Sequence, residues 1–208
     1  MEIVAHRGNW NVPAEKNTSS AMDRAIDSGF GIETDVRDYH GSLAISHDVP
    51  DRQPALFVQE LFAKWSKHRQ GVLAINVKAD GLQALLADAV RVNNLRDYFF
   101  FDMSIPDSIG YLKHDLPIFT RHSDLEPQPS LYEEAEGVWL DAFHTDWWGS
   151  RTIEAHLHAG KRVCVVSPEL HGRPHAAAWE ILARASWKTN PNIMLCTDYP
   201  QLAAEEFR

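Results

Sequence analysis

The chain has 208 residues, 44% of them hydrophobic and 24% charged, the proportions of one globular domain with a substantial core. Its formal net charge of −9, from 20 basic and 29 acidic side chains, argues against general binding to nucleic acid or to an anionic membrane, though a few local cations can still hold a small anion. No basic and apolar leader opens the sequence and no run of about 18 apolar residues follows, so the expectation is a cytoplasmic protein without membrane insertion.

The first apolar run, residues 2–6, leads into His6-Arg7-Gly8. A helical pattern over 17–28 places Ala21, Met22, Ala25 and Ile26 on one face and stops at Gly29. The second run, 31–37, reads as a buried strand that carries Glu33 and Asp35. Residues i and i+2 of a strand share a face, about 6.6 Å apart at ~3.3 Å rise each. At ~4 Å and an effective dielectric of ~20, two such charges repel by roughly 4 kcal/mol. Wider spacing softens this, but the pair still calls for a cation, a proton or open water.

Residues 42–46 read as an extra short strand before His47. The alternation then continues: helix 54–67, strand 72–77, helix 80–92, strand 98–102, helix 105–112, strand 117–120, helix 130–136, strand 137–141, helix 146–159, strand 162–166, helix 174–187, strand 192–196 and helix 200–207. Cys164 and Cys196 lie in apolar runs and read as buried thiols on neighbouring strands. Eight strand-helix units imply a parallel sheet and a short (β/α)8 TIM-like barrel occupying 1–208 as a single domain, with an open doubly wound sheet as the alternative. Either fold carries its site at the carboxyl ends of the strands. Those ends read His6-Arg7, Glu33/Asp35, Asn76/Lys78, Asp102, Arg121, Asp141, Ser167/Glu169 and Thr197-Asp198, a polar rim over an apolar barrel.

Glu33 and Asp35 offer oxygen ligands to a hard cation such as Mg²⁺ or Ca²⁺. Asn76 and Lys78 also stand at i and i+2; an amide oxygen can complete a metal shell, and an ammonium can meet a phosphate oxygen. His6 and His47 are candidates for an acid/base pair, and Asp48 for orienting a histidine. The nine other histidines read as ordinary surface or core residues; His171 and His175 have i, i+4 spacing, but Pro174 starts a helix between them. A cation, two imidazoles, an arginine and a lysine together describe a phosphate-ester site. No Gly-rich phosphate loop, Gly-x-Ser-x-Gly elbow or His-Glu-x-x-His competes with that reading.

Ala5-His6-Arg7-Gly8, Glu15-Lys-Asn17-Thr18, Ile32-Glu33-Thr34-Asp35-Val36 and His47-Asp48 resemble, in order and spacing, the motifs of the glycerophosphodiester phosphodiesterase family, and Cys196-Thr197-Asp198-Tyr199-Pro200 is similar to its last strand and turn. The resemblance implies a TIM-like barrel, one divalent cation (Mg²⁺ or Ca²⁺, with Mn²⁺ admissible) at Glu33 and Asp35, His6 and His47 as the acid/base pair, and Arg7 and Lys78 at the phosphate. It implies a small-molecule phosphodiester as partner and, in the reaction, a neighbouring hydroxyl that attacks phosphorus to give a cyclic phosphate opened by water. Two departures stand out. Glu-Lys-Asn-Thr replaces the usual Pro-Glu-Asn-Thr, and Asn76 stands where the family offers a metal-binding glutamate, leaving Asp102 or Asp141 to supply that carboxylate. Phe143, Trp147 and Trp148 are placed either to touch the alcohol part of a substrate or to pack a helix on the barrel, and Arg121 and Glu169 are either substrate contacts or a surface pair. The expected activity is metal-dependent hydrolysis of a small glycerophosphodiester-like or polyol/sugar phosphodiester. A lyase that stops at the cyclic phosphate and a non-catalytic binder of anionic sugar phosphates are the alternatives.

Overall fold

The computed structural model describes residues 1–68 and 71–207. Its elements run β1 (Glu2–His6), α1 (Ser19–Asp27), β2 (Gly31–Tyr39), β3 (Ser42–Ile45), α2 (Val58–Trp65), β4 (Leu73–Val77), α3 (Gln83–Asn93), β5 (Tyr98–Phe101) and α4 (Ile105–Lys113). They continue with β6 (Phe119–His122), β7 (Gly137–Leu140), α5 (Ser150–His158), β8 (Arg162–Val166), α6 (Ala176–Leu182), α7 (Ala185–Lys188), β9 (Ile193–Thr197) and α8 (Pro200–Phe207). The chain forms two compact units, Ala5–Ile118 and Met1–Val4 with Phe119–Arg208.

In the first unit β2 runs parallel to β4, and β4 to β5, while β3 folds back antiparallel on β2. The register sets Asp35 opposite Asn76 and Val36 opposite Val77. Residues Gly31 to Val36 are buried on both faces, as a parallel strand covered by helices should be, so the two acids are buried along with the aliphatic residues. Helix α1 follows from its pattern: Thr18 caps it by accepting from the Ala21 amide, Ala21, Met22 and Ala25 are buried, and Gly29 leaves it at φ 66°. Leu61 and Phe62 of α2 are fully buried, each worth about 1.5–3 kcal/mol of apolar burial.

In the second unit β6, β7, β8 and β9 pair in sequence order, all parallel. Cys164 and Cys196 are buried thiols, not joined in a disulfide, on adjacent strands, as expected.

Two expected helices differ. Residues 130–136 form turns, because Leu131 adopts a left-handed backbone (φ 53°) that a helix cannot absorb. The expected helix 174–187 is broken into α6 and α7, since Arg184 takes an extended conformation (ψ 130°) between them. A 3₁₀ turn not foreseen from the sequence, Pro168–His171, follows β8.

Candidate active site

The unit Ala5–Ile118 gathers six of the expected site residues at the carboxyl ends of β1, β2 and β4. Arg7 leaves β1 with a left-handed backbone (φ 58°), and its amide donates to both the Glu33 carbonyl (2.9 Å) and Glu33 Oε2 (3.2 Å). Gly8 follows at φ 87°, where a Cβ would lie 2.8 Å from the carbonyl carbon of Ala21; only glycine lets this loop rest on α1. His6 Nε2 lies 3.8 Å from Glu33 Oε2, its ring mostly buried.

Asp35 is fully buried and meets two cations. Arg7 Nε is 2.7 Å from its Oδ2, an ionic contact outside hydrogen-bond alignment, and Lys78 Nζ is 3.5 Å from its Oδ1. Lys78 also lies 3.6 Å from Asp102 Oδ2, so one ammonium serves carboxylates of two strand ends. Asn17 completes the support: its Nδ2 donates to Asp35 Oδ2 at 2.8 Å, its Oδ1 accepts from Thr34 Oγ1, and its amide donates to the Arg7 carbonyl. Arg7, Asn17 and Asp102 are all non-glycine residues at positive φ (58°, 61° and 68°), a cost of about 1 kcal/mol or more each.

The pair is electrostatically strained as well. Glu33 is pushed up to about 8, by burial first and by the Asp35 charge second, with Arg7, Lys78 and a hydrogen bond from Asn76 pulling the other way. The loop carrying His47 is tied to the same strand, since the Ser46 amide donates to the Asp35 carbonyl at 3.0 Å and Arg37 Nη1 donates to the His47 carbonyl. His47 Nδ1 pairs with Asp48 Oδ1 at 2.9 Å. That bond and the His47 charge hold Asp48 below the usual carboxylate range, with Arg7 and Arg37 adding to the effect.

The arrangement fits a hard cation. Asp35 Oδ1 and Asn76 Oδ1, on residues facing each other in the β2–β4 register, are both buried without a hydrogen bond. Glu33 and Asp35 supply carboxylate oxygens and Asn76 an amide oxygen, a donor set for Mg²⁺ or Ca²⁺ rather than zinc. Among the described residues, no three His, Cys, Asp or Glu side chains form a metal-binding group.

The other expected residues belong to the unit containing Phe119–Arg208. There Asp141 is engaged by Arg121 Nη1 (3.0 Å) and His171 Nε2 (2.6 Å), and Arg121 Nε is 3.3 Å from Glu126. Glu169 accepts from Ser167 Oγ, Thr197 Oγ1 and the Asp198 amide, which commits its carboxylate to fixing the ends of β8 and β9. Trp148 is buried with its indole N–H unpaired, a core residue rather than an exposed stacking face, while Trp147 Nε1 donates to the Asp141 carbonyl. Sequence reasoning assigned no role to Asn17 or His171. The signal for Asn17 was its place in Glu15-Lys-Asn-Thr18 before the cap of α1; the only local mark on His171 was its spacing from His175, which did not point to Asp141.

No family model matches the chain, and no curated protein matches it. Solved structures do. A glycerophosphodiester phosphodiesterase from Agrobacterium tumefaciens str. C58 is 24% identical with a TM-score of 0.71, covering 99% of this chain and 98% of its own. A glycerophosphodiester phosphodiesterase from Parabacteroides distasonis ATCC 8503 is 16% identical with a TM-score of 0.66, covering 98% and 95%. A glycerophosphoryl diester phosphodiesterase from the same organism is 12% identical with a TM-score of 0.64, covering 99% and 85%. The fold is therefore the (β/α)8 barrel expected from the strand-helix alternation. No helix among the described residues is long and apolar enough to cross a membrane.

Proposed function

We propose that this protein is a metal-dependent phosphodiesterase acting on a small glycerophosphodiester-like or polyol/sugar phosphodiester. The observation that carries the reading is the buried acid pair with unpaired oxygens on Asp35 and Asn76, flanked by Arg7 and Lys78. Its charges fit such a ligand. Once a divalent ion displaces the proton that the raised Glu33 carboxyl holds near neutral pH, Glu33, Asp35 and Asp102 stand as three acids against Arg7 and Lys78, so the ion leaves one positive charge and a phosphodiester monoanion cancels it.

Glu33, Asp35 and Asn76 would hold the cation, Mg²⁺ or Ca²⁺ with Mn²⁺ admissible. Bound there, it supplies Lewis-acid stabilisation of charge on the phosphate oxygens. Arg7 and Lys78, each already turned toward Asp35, bind and orient the phosphate. Asp48 fixes His47 by its Nδ1, which leaves Nε2 to move a proton, and His6 beside Glu33 is its counterpart. One imidazole takes the proton from the attacking hydroxyl and the other protonates the leaving oxygen.

The test is turnover of a panel of glycerophosphodiesters by the purified protein with Mg²⁺, Mn²⁺ or Ca²⁺, followed by phosphorus NMR. Release of a phosphomonoester supports hydrolysis. Accumulation of a cyclic phosphate assigns a lyase, and no rate above background with any of the three metals rejects catalysis in favour of binding alone. Substitution of Asn for the expected glutamate at position 76 favours the binding reading, whereas binding alone has no use for two histidines and two strained acids.

A further inference from the structure

Helix α4 carries two buried oxygens that the site above does not use. Ser104 caps the helix, its hydroxyl accepting from the Asp107 amide, and Asp107 and Tyr111 stand one turn apart on one face. Helical Cα–Cβ bonds tilt toward the amino end, and a long aromatic side chain lies back over the preceding turn, so the Tyr111 phenol is aimed at Asp107. Tyr111 is fully buried, with its ring centre 5.1 Å from that of Phe100, and its Oη has no hydrogen bond. Asp107 Oδ2 is buried and has none either.

The other carboxylate oxygen is pinned. Asp107 Oδ1 accepts from the Gly81 amide and from Gln83 Nε2, both at 2.9 Å. Gly110 permits this, since a Cβ there would lie 2.4 Å from Gln83 Nε2. Oδ2 and Oη do not bond each other, so only a third atom can satisfy both. Asp80 joins the cluster through its Oδ2, which accepts from the Ser104 hydroxyl at 3.1 Å. Burial first, then the charges of Asp107 and Asp80, make the Tyr111 phenol harder to ionise, so both acids act on one oxygen. The donors to these two carboxylates are all neutral, and Lys78, two residues before Asp80, is turned to Asp35 and Asp102 instead. A water between Oη and Oδ2 would complete the hydrogen bonds and leave two negative charges, of which the amino end of α4 offsets about half of one.

We propose that Asp107 Oδ2 and Tyr111 Oη bind a monovalent metal ion, Na⁺ or K⁺, with Asp80 adding negative charge from its exposed position. The phenol stays protonated and coordinates through its oxygen. One buried carboxylate oxygen and one neutral oxygen balance a single charge, and both are hard donors suited to such an ion. The site shares no side chain with the Glu33 and Asp35 pair and stands independently of the phosphodiesterase reading.

The experiment follows the five tyrosines of the full chain, ¹³C-labelled in the ring, by NMR during titration with KCl and with NaCl. Choline chloride holds the ionic strength constant and a chelator removes divalent ions. The Tyr111 signal is assigned by its loss in Tyr111→Phe. The expected result is a saturable shift of Tyr111 with K⁺ or Na⁺ that the other four tyrosines do not share. Asp107→Asn keeps an acceptor for Gly81 and Gln83 but removes the charge, and the half-saturating concentration rises at least about tenfold. Asp80→Asn, at an exposed position that leaves the buried contacts in place, raises it by a smaller factor. A Tyr111 signal unmoved by either salt means a buried water alone and overturns the inference. So does a response equal to that of the unaltered chain in both variants, or one shared by all five tyrosines.

Discussion

Asp35 in one unit and Asp141 in the other are both buried carboxylates at the carboxyl end of a parallel strand, and they are satisfied very differently. Asp141 is fully partnered: each of its oxygens accepts a hydrogen bond, from Ala142 and His171 on one side and Arg121 on the other. Asp35 keeps Oδ1 without a hydrogen bond, stands beside a second acid whose carboxyl is pushed up to about 8, and faces the unpaired oxygen of Asn76. A satisfied acid serves to aim its neighbours. An under-satisfied pair stores a demand for positive charge, and its unpaired oxygens are the places a cation would fill.

The largest test of that contrast is catalytic. His6→Ala and His47→Ala should each lower turnover by about 10²–10⁴-fold, the usual worth of a positioned acid or base, while the thermal midpoint hardly moves for the exposed His47. Equal loss of stability in both variants would make the histidines structural.

Next comes the pair of acids. Asp35→Ala and Asp141→Ala each leave a partly exposed cation without its buried partner and should cost about 2–3 kcal/mol in denaturant unfolding, below the full cost for a buried pair. Only Asp35→Ala should abolish divalent-cation binding measured by calorimetry. Loss of cation affinity in both variants would erase the distinction between the two carboxylates.

Asn76→Glu should tighten cation binding by at least about tenfold, since it adds one charge to the donor set at short range. Unchanged affinity removes Asn76 from the ligands.

A pH-dependent effect belongs to a hydrogen-bonded chain in the second unit, where Tyr132 Oη meets His156 Nδ1 at 2.8 Å and His156 Nε2 meets His122 Nδ1 at 2.9 Å. Burial first, and His122 second, push His156 down to about 4, so it stays neutral in the fold while the unfolded chain takes up a proton near 6.5. The stability present above 6.5 is therefore lost as pH falls toward 4, by about 2 kcal/mol after allowance for partial exposure. His156→Phe should flatten that window in unfolding curves; an unchanged slope would show that His156 protonates freely in the fold.

Periodicity made most of this molecule legible. The run Gly31 to Val36 declared a buried strand and, by its two acids, the centre of the site. The hydrophobic faces of α1 and α2 and the apolar runs of β4, β8 and β9 also read directly from spacing. What stayed hidden depends on backbone exceptions and on contacts distant in sequence. Leu131 carries no side-chain signal for a left-handed turn, yet that turn removes an expected helix. Asn17 reaches Asp35 across 18 residues and His171 reaches Asp141 across 30, contacts that no local pattern encodes. Trp148 shows the converse: an aromatic residue in a promising loop can be plain core.

Glu33 and Asp35 are expected to draw positive charge to the end of β2. Anomalous diffraction from crystals grown in saturating Mn²⁺ tests it most directly. The expected result is a single strong peak bounded by oxygens of Glu33, Asp35 and Asn76, and a map with no peak among those three side chains would contradict it.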